Sequence, residues 1–369
     1  MPHSKHWRAG LVAMAVLALS LGAVACGDDD EDGGGGGDGG GSIALLLPES
    51  KTARYESQDR PNFERKVREL CSDCEIIYSN ADQDAAKQQQ QAEAALTRGA
   101  KVMVLDPVDA ASAGAIVQRA KQQDVPVVSY DRLITDADID YYVSFDNVRV
   151  GRLQGETLAE KLREDGNAEG PIVMINGAPT DNNAKLFKQG ANAALRAANV
   201  RIARQYDTPD WSPDRAQQQM EQSITALGRT GFNAVYAAND GTAGGAIAAM
   251  KGAGIQPETK PTTGQDAELA AIQRILVDEQ YMTVYKAIKP EAEAAAEIAV
   301  ALAKGENPSP SLVKEKTDNG QEQVPSVLLT PVAVTKDNIK DTIIKDGFWT
   351  ADQLCTGRYA SACQSAGIE

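Results

Sequence analysis

Histidine is almost absent from this chain of 369 residues, because its only two, His3 and His6, lie at the extreme N-terminal end. Hydrolases with a Ser-His or Cys-His pair need a histidine base, and zinc sites are commonly built on histidine. We therefore predict that the protein is not an enzyme and that it holds no cofactor and no metal. A glycosidase that uses the carboxylates of Asp131 and Asp266 is the alternative that remains open.

Basic charge is also scarce, since 52 acidic residues face 37 basic ones and the net charge is −15. Such a chain is repelled by nucleic acid and by anionic lipid, and it shows no phosphate-binding glycine pattern after its first expected strand. The glycine-rich run 241–245 opens an expected helix. It either binds a phosphate or allows close packing of that helix on the sheet, and we favour packing.

The N-terminal segment has the layout of an export signal. Lys5 and Arg8 precede an apolar run over 9–23, and small residues lead up to Cys26. A cysteine at this place is typical of bacterial lipoproteins, whereas an ordinary signal peptide that contains a cysteine is the alternative. We predict a lipoprotein signal peptide over 1–25, lipidation of Cys26 and a flexible Gly/Asp tether over 26–42. The protein is then exported and anchored by lipid to the outer face of the cell membrane.

Four further cysteines, Cys71, Cys74, Cys355 and Cys363, suggest two disulfides in an exported chain. Three pairings are possible, and we expect the local one, Cys71 with Cys74 and Cys355 with Cys363. The first pair is also a C-x-x-C motif. Because it follows an expected helix and precedes a strand, it lacks the helix N-terminus that activates redox cysteines, which favours a structural role.

Short apolar runs alternate with longer helical patterns along the rest of the chain. The runs predict strands at 43–47, 74–79, 102–106, 127–130, 172–176, 201–206, 234–238, 262–264, 282–285 and 327–329. The helical patterns cover 62–70, 85–98, 110–123, 148–162, 183–198, 213–227, 242–253 and 291–303. This alternation predicts an α/β protein with two doubly wound, parallel-sheet lobes joined by a multi-strand hinge. We place the N-terminal lobe at 43–146 and 287–324, and the C-terminal lobe at 147–286 and 325–369.

Polar side chains follow the expected strands where each one ends. They are Asp131 and Arg132, the run 181–183, Asn239 and Asp240, Gln265 and Asp266, and Lys286. Open parallel sheets bind ligands at this edge, and amides, carboxylates and cations together can pair with the hydroxyls of a sugar.

Two aromatic residues, Trp211 and Tyr55, could cover the apolar faces of a sugar ring. Each of these residues also has a purely structural interpretation: Asp131 and Arg132 as a surface ion pair, Asn239 and Asp266 as helix caps, and Trp211 as core. We assign Tyr141, Tyr142 and Phe145 to the hinge or to core packing.

Several motifs in these same places resemble the D-xylose-binding proteins of bacterial ABC sugar importers, which belong to the ribose-binding-like type I periplasmic binding proteins. The motifs lie at 130–132 (YDR), 136–140 (DADID), 144–147 (SFDN), 181–187 (DNNAKLF), 239–247 (NDGTAGGAI), 264–267 (GQDA), 282–286 (MTVYK), 328–331 (LLTP) and 338–342 (NIKDT). The resemblance extends from about Ile43 to Phe348. The pair Cys71 and Cys74 and the tail over 350–369 fall outside it.

The resemblance implies which residues bind the sugar. They are Arg54, Tyr55, Asp131 and Arg132 from the first lobe, Asn183, Trp211, Asn239 and Asp266 from the second lobe, and Lys286 at the crossover. Tyr55 stands where the family often has Trp.

The resemblance also implies a function. Two lobes close over one monosaccharide, D-xylose or a similar pyranose, and deliver it to an ABC permease with its ATPase. We expect a monomer that touches the membrane only through its N-terminal lipid. The alternative partner is a chemoreceptor or a sensor kinase, for which the protein is the sugar sensor.

Overall fold

The structure is a computed structural model that describes residues 41–368. The expected signal peptide, Cys26 and the tether up to residue 40 lie outside the described residues. Within the described part, no helix combines the length and the apolar character that crossing a membrane requires.

The first lobe begins with a regular alternation of strands and helices. In chain order its elements are β1 Ser42–Leu47, α1 Arg60–Leu70, β2 Ile76–Asn80, α2 Ala85–Thr97, β3 Ala100–Leu105, α3 Gly114–Lys121, β4 Val127–Tyr130 and β5 Tyr141–Phe145. The strands pair in parallel in the order β2, β1, β3, β4, β5. Because helices cover both faces of this sheet, its central strands are apolar throughout, as in the fully buried run Ile43–Leu47.

The second lobe repeats the pattern. Its elements are α4 Asn147–Glu164, β6 Ile172–Asn176, α5 Asn182–Ala197, β7 Ile202–Asp207, α6 Pro213–Leu227, β8 Ala234–Ala237, α7 Asp240–Gly252, α8 Leu269–Leu276 and β9 Met282–Tyr285. Strand β6 lies between β7 and β8, and all three run parallel. Side chains mark the helix starts: Asp181 caps α5, Ser212 caps α6 and Asn239 caps α7.

The remaining chain crosses between the lobes twice more. The elements α9 Ile288–Ala303, β10 Glu315–Asp318 and β11 Gln323–Leu329 return to the first lobe, and β12 Val332–Thr335, α10 Ala351–Leu354 and α11 Ala360–Ser365 belong to the second. Three crossovers therefore join the lobes, after β5, after β9 and after β11. Strand β11 pairs with β5 in the first sheet, whereas the sequence analysis assigned residues from 325 onward to the second lobe.

The expected strand at 262–264 extends the second sheet. The structure records a parallel bridge between Val235 and Thr262 there rather than a full strand. Backbone hydrogen bonds on its other side, Tyr281 N–H to Thr262 O at 3.0 Å and Val284 N–H to Gly264 O at 3.1 Å, connect the segment to β9. Strand β12 then pairs with β9 in antiparallel fashion.

Several elements were not predicted from the sequence: β5, β10, α8, β12, α10 and α11. The aromatic residues Tyr141, Tyr142 and Phe145 belong to β5, and Tyr142 and Phe145 are buried. The glycine-rich run packs closely, but against a helix rather than the sheet. A Cβ on Gly245 would lie 2.1 Å from the carbonyl oxygen of Pro213 at the start of α6.

Both disulfides have the local pairing that the sequence analysis favoured. Cys71 ends α1 and bonds to Cys74 before β2, so the predicted structural setting of this pair is confirmed. The bond between Cys355 and Cys363 ties α10 to α11. Leu354, Cys363 and Ile368 from this tail are buried against residues of the crossovers, including Phe145, Tyr285 and Ile288.

Candidate binding site

A cavity with about 260 Å³ of empty space lies between the two lobes, which are closed on each other. All nine residues that the resemblance implied line it. The full lining consists of Thr52, Arg54, Tyr55, Asp131, Arg132, Asp181, Asn183, Phe187, Trp211, Asn239, Gln265, Asp266 and Lys286. The sequence analysis did not propose Thr52 or Phe187 as site residues, and it counted Asp181 and Gln265 among the polar strand ends but not among the sugar-binding residues.

The topology explains why these residues meet. Asp131 and Arg132 directly follow β4, Asn239 follows β8, and Lys286 follows β9. The carboxyl ends of parallel strands lie along one edge of each sheet, and these two edges face each other across the cavity.

The backbone of three site residues adopts the left-handed conformation that side chains disfavour. The φ angles are 51° at Asp131, 51° at Trp211 and 95° at Asp266. Such a conformation costs on the order of 1–3 kcal/mol per residue and is concentrated at functional sites in proteins. At Asp131 it is held by surrounding hydrogen bonds, because its carbonyl oxygen accepts from Ser144 Oγ at 2.6 Å and from Asn183 Nδ2 at 3.0 Å.

Arg54 lies at the centre of a buried charge cluster. Its guanidinium contacts Asp59 at 2.6 Å, Glu291 at 2.7 Å and Asp131 at 3.2 Å. Arg54 as a whole is only 3 % exposed. Burial lowers the pKa of Arg54, but Asp131, Asp59 and Glu291 outweigh it and hold that pKa above its usual value. Burial raises the pKa of Glu291, against the opposing effect of Arg54.

Asp131 presents its carboxylate to several donors. Its oxygens lie 3.1 Å from the Tyr55 hydroxyl and 3.4 Å from Lys286 Nζ. Burial opposes its ionisation, but Arg54, Lys286 and Arg132 outweigh burial and hold the pKa of Asp131 below its usual range. A carboxylate held in its ionised form cannot serve as the general acid of a glycosidase.

Ion pairs cross from one lobe to the other. Arg132 Nε lies 3.1 Å from an oxygen of Asp181, and Arg54 lies 3.8 Å from Asp266. Lys286, on the second crossover, lies 3.3 Å from Asp266. The expected surface ion pair between Asp131 and Arg132 is not found, since both residues are buried and bind other partners.

Trp211 is buried and its ring lies at the wall of the cavity. Its indole sits on Gly177, where a Cβ would lie 2.0 Å from the ring, and Phe187 meets it edge-on at 6.3 Å. Its Nε1–H donates to Asp181 at 3.0 Å. These contacts hold the ring on several sides in the closed form.

Asn239 has both of the roles considered for it from sequence. Its Oδ1 accepts from the N–H of Thr242 and caps α7, and its side chain also lines the cavity. Asp266 does not cap the next helix, because α8 begins after Glu268. Instead it accepts from Gln265 Nε2 at 2.8 Å, while its other oxygen has no hydrogen-bond partner.

Comparison with known proteins identifies the family of the chain. The family model described as a periplasmic binding protein domain matches residues 43–307. The D-xylose-binding periplasmic protein of Escherichia coli K12 is 38% identical over 316 residues, which cover 85% of this chain and 92% of that protein. The multiple sugar-binding periplasmic receptor ChvE of Rhizobium radiobacter is 31% identical over 330 residues, covering 85% and 92%.

A solved structure extends the comparison to the fold. An ABC transporter solute-binding protein from Clostridium phytofermentans, crystallised with bound β-D-glucose, superimposes with a TM-score of 0.77 and 31% identity. The match covers 85% of this chain and 99% of that chain. The two-lobe α/β architecture predicted from the sequence is thus confirmed.

Proposed function

This chain belongs to the periplasmic binding proteins, which bind sugars for transport and are not enzymes, and from this premise we propose that it captures one monosaccharide by closing its two lobes. The sugar is D-xylose or a pyranose with the same hydroxyl pattern. The protein then delivers it to an ABC permease.

The charge balance of the cavity supports an uncharged ligand. The cations Arg54, Arg132 and Lys286 are already paired with buried carboxylates, so neither a charged sugar acid nor a phosphate finds a free counterion. The same groups keep planar donors and acceptors directed at the cavity, where they can pair with hydroxyls in a bidentate manner. The indole of Trp211 supplies a flat apolar surface for one face of the ring.

The size of the cavity supports a single sugar. The cavity lies between the two lobes and every residue that lines it is buried, so it admits only a small ligand that contacts both lobes. Contacts between the lobes, such as Asn183 Nδ2 to the Asp131 carbonyl, form only when the lobes are closed. A ligand that bridges both lobes therefore favours the closed state, whose shape a permease can recognise.

Calorimetric titration of the full chain tests this function. We expect one site per chain for D-xylose and weaker binding of D-ribose, L-arabinose and D-glucose. D-ribose and L-arabinose each invert one hydroxyl of D-xylose, which leaves buried groups of the site unpaired, and D-glucose adds a hydroxymethyl group that the site must accommodate. Absence of heat with all four sugars contradicts the proposal.

A pair of matched variants locates the site. Asp266→Asn changes a carboxylate that lines the cavity, and we expect it to weaken sugar binding strongly. Asp146→Asn makes the same change at an exposed residue on the first crossover, where Asn caps α4 as well as Asp does. It should leave the affinity unchanged. Equal losses in both variants would place the sugar elsewhere.

We further propose that Cys26 carries the lipid that anchors the protein to the outer face of the membrane. The lipoprotein pattern before Cys26 supports this. Mass spectrometry of the N-terminal peptide should show a diacylglyceryl addition on Cys26, and Cys26→Ser should release the protein from membranes. An unmodified Cys26 on a mature chain contradicts the anchor.

A second role is favoured by one relative, because the Rhizobium radiobacter protein is described as a receptor. In that role the sugar-bound closed form is presented to a chemoreceptor or sensor kinase. Deleting the chain separates the roles. Loss of xylose uptake supports transport, whereas normal uptake with a lost transcriptional or chemotactic response supports sensing.

A further inference from the structure

The carboxylate of Asp181 lines the cavity and contacts both lobes. Its Oδ1 accepts from the backbone N–H of Asn183 at 2.8 Å and caps α5. Its Oδ2 accepts from Trp211 Nε1 at 3.0 Å within its own lobe and lies 3.1 Å from Arg132 Nε of the opposite lobe. The side chain is buried, so these partners replace its water.

Packing restricts the indole of Trp211. Gly177 lies directly against the ring, and Phe187 meets it in an edge-to-face arrangement. The backbone is left-handed at Trp211 and at the preceding residue, Asp210, with φ angles of 51° and 58°. The hydrogen bond from Nε1 to Asp181 limits rotation of the ring in its own plane.

Arg132 is the counterion that stabilises the buried carboxylate of Asp181. It is 2 % exposed and reaches Asp181 from the loop after β4, and its other carboxylate neighbours, Asp106 at 3.5 Å and Glu49 at 3.8 Å, are farther away. Because Arg132 lies on the opposite lobe, this ion pair forms only in the closed form, where Asp181 is buried and needs a counterion. The carboxylate that orients the indole thus also pairs across the closed cleft.

We propose that Asp181 is a positioning residue, which holds the Trp211 indole against the sugar and is neutralised in the closed form by Arg132 of the opposite lobe. This inference rests on the proposed sugar-binding function and deepens it. Asp181 acts on the sugar through the indole of Trp211 and need not contact the sugar itself.

The substitution Asp181→Asn isolates this role, since an amide has only one acceptor oxygen. If that oxygen caps α5, the NH₂ group faces the indole N–H and the guanidinium, which are both donors. If it accepts from the indole, the cap is lost. In either case the net charge that pairs with Arg132 disappears while the size of the side chain stays the same.

The test combines affinity with a spectroscopic reading of the indole. In ¹⁵N-labelled full-length protein the indole N–H of Trp211 is assigned by its loss in Trp211→Phe. We expect Asp181→Asn to shift this resonance and to weaken D-xylose binding by at least about tenfold, because a hydrogen bond to a charged group contributes about 1.5–3 kcal/mol. The control Asp207→Asn removes an exposed carboxylate of the same lobe, paired with Lys188, and should change neither reading.

A double-mutant cycle with Trp211→Phe keeps the test decisive. Phe lacks the donor, so Asp181→Asn should cost less in that background than in the wild type, and circular dichroism confirms that each variant is folded. Unchanged affinity in Asp181→Asn overturns the inference, and so does weaker binding with an unshifted indole resonance or with no coupling to Trp211. If the wild type itself binds no sugar, the proposed function fails instead.

Discussion

The indole Nε1 of Trp349 donates a hydrogen bond of 2.8 Å to the carbonyl oxygen of Ala267, the residue directly after Asp266. Asp266 and Ala267 are both left-handed, with φ angles of 95° and 52°. Trp349 immediately precedes the tail that the disulfide between Cys355 and Cys363 closes. The C-terminal segment therefore helps to hold a strained part of the cavity wall.

The first prediction concerns this hydrogen bond. Trp349→Phe keeps an aromatic ring beside Phe348 but removes the donor, so the left-handed segment loses one restraint. We expect D-xylose affinity to fall about two- to tenfold, given the roughly 0.5–1.5 kcal/mol of a neutral hydrogen bond. Calorimetric titration measures this. Arg358→Gln, which removes an exposed cation of the same tail, is the control and should bind as wild type does. Equal affinities in all three proteins contradict the prediction.

The second prediction concerns the support beneath Trp211. Gly177→Ala would place a Cβ 2.0 Å from the indole and must displace it. We expect sugar binding to be lost or reduced by at least about a hundredfold, since the stacking surface leaves its position while the polar groups remain. Gly252→Ala adds the same methyl group on α7, where nothing apart from the chain neighbours and the nearby backbone of that helix lies within 4 Å, and should leave binding intact. Normal binding by Gly177→Ala would show that the ring is not needed where it now lies.

The sequence predicts the regular parts of the fold because their pattern is local. Strands such as β1 and β6 are continuous apolar runs between helices, and burial on both faces of a parallel sheet requires that pattern. Strands β5 and β12 were missed because they lie at lobe crossovers, where polar neighbours obscure the pattern. Helix α8 is only eight residues long, and its capping residue, Glu268, makes no side-chain cap.

The sequence predicted which residues line the cavity better than it predicted how they are arranged there. Asp131 and Asp266 could be named from their position after strands and from family motifs. Their left-handed backbone could not, since it is imposed by contacts from distant segments such as Ser144 and Trp349. The role of Asp181 depends on Arg132 of the other lobe, 49 positions away, and no local pattern records such a contact.

The third prediction concerns the buried cluster around Arg54. Arg54→Met leaves Asp59, Asp131 and Glu291 without their shared cation in a buried site. Breaking a buried ion pair in this way costs about 3–5 kcal/mol, so we expect the free energy of unfolding to fall by that amount. Urea denaturation at neutral pH measures it. Arg65→Met removes an exposed cation paired with Glu293 and should cost less than about 1 kcal/mol. Similar losses in the two variants contradict the buried-cluster account.

Asp240, the first residue of α7, lies behind the cavity wall. Its oxygens accept from Gln280 Nε2 at 2.7 Å, from the N–H of Glu268 at 2.9 Å and from Thr283 Oγ1 at 2.9 Å. Burial raises the pKa of Asp240 to about 7, although Arg274 opposes the shift. The folded protein therefore holds a proton on this group at pH values where the unfolded chain has released it.

The fourth prediction follows from the sign of this shift. Between about pH 4, the ordinary value for Asp, and about pH 7, the folded state binds more protons than the unfolded state, so raising the pH through this range lowers the free energy of unfolding. Asp240→Asn cannot titrate and should flatten that decline, even if it is less stable at every pH. Urea denaturation at pH 5, 6, 7 and 8 measures the slopes. Asp214→Asn, an exposed residue in the first turn of α6, should keep the wild-type slope. If Asp240→Asn declines as steeply as the wild type, the proton resides on another group, and the neighbouring Glu268, whose pKa burial also raises, is the next to test.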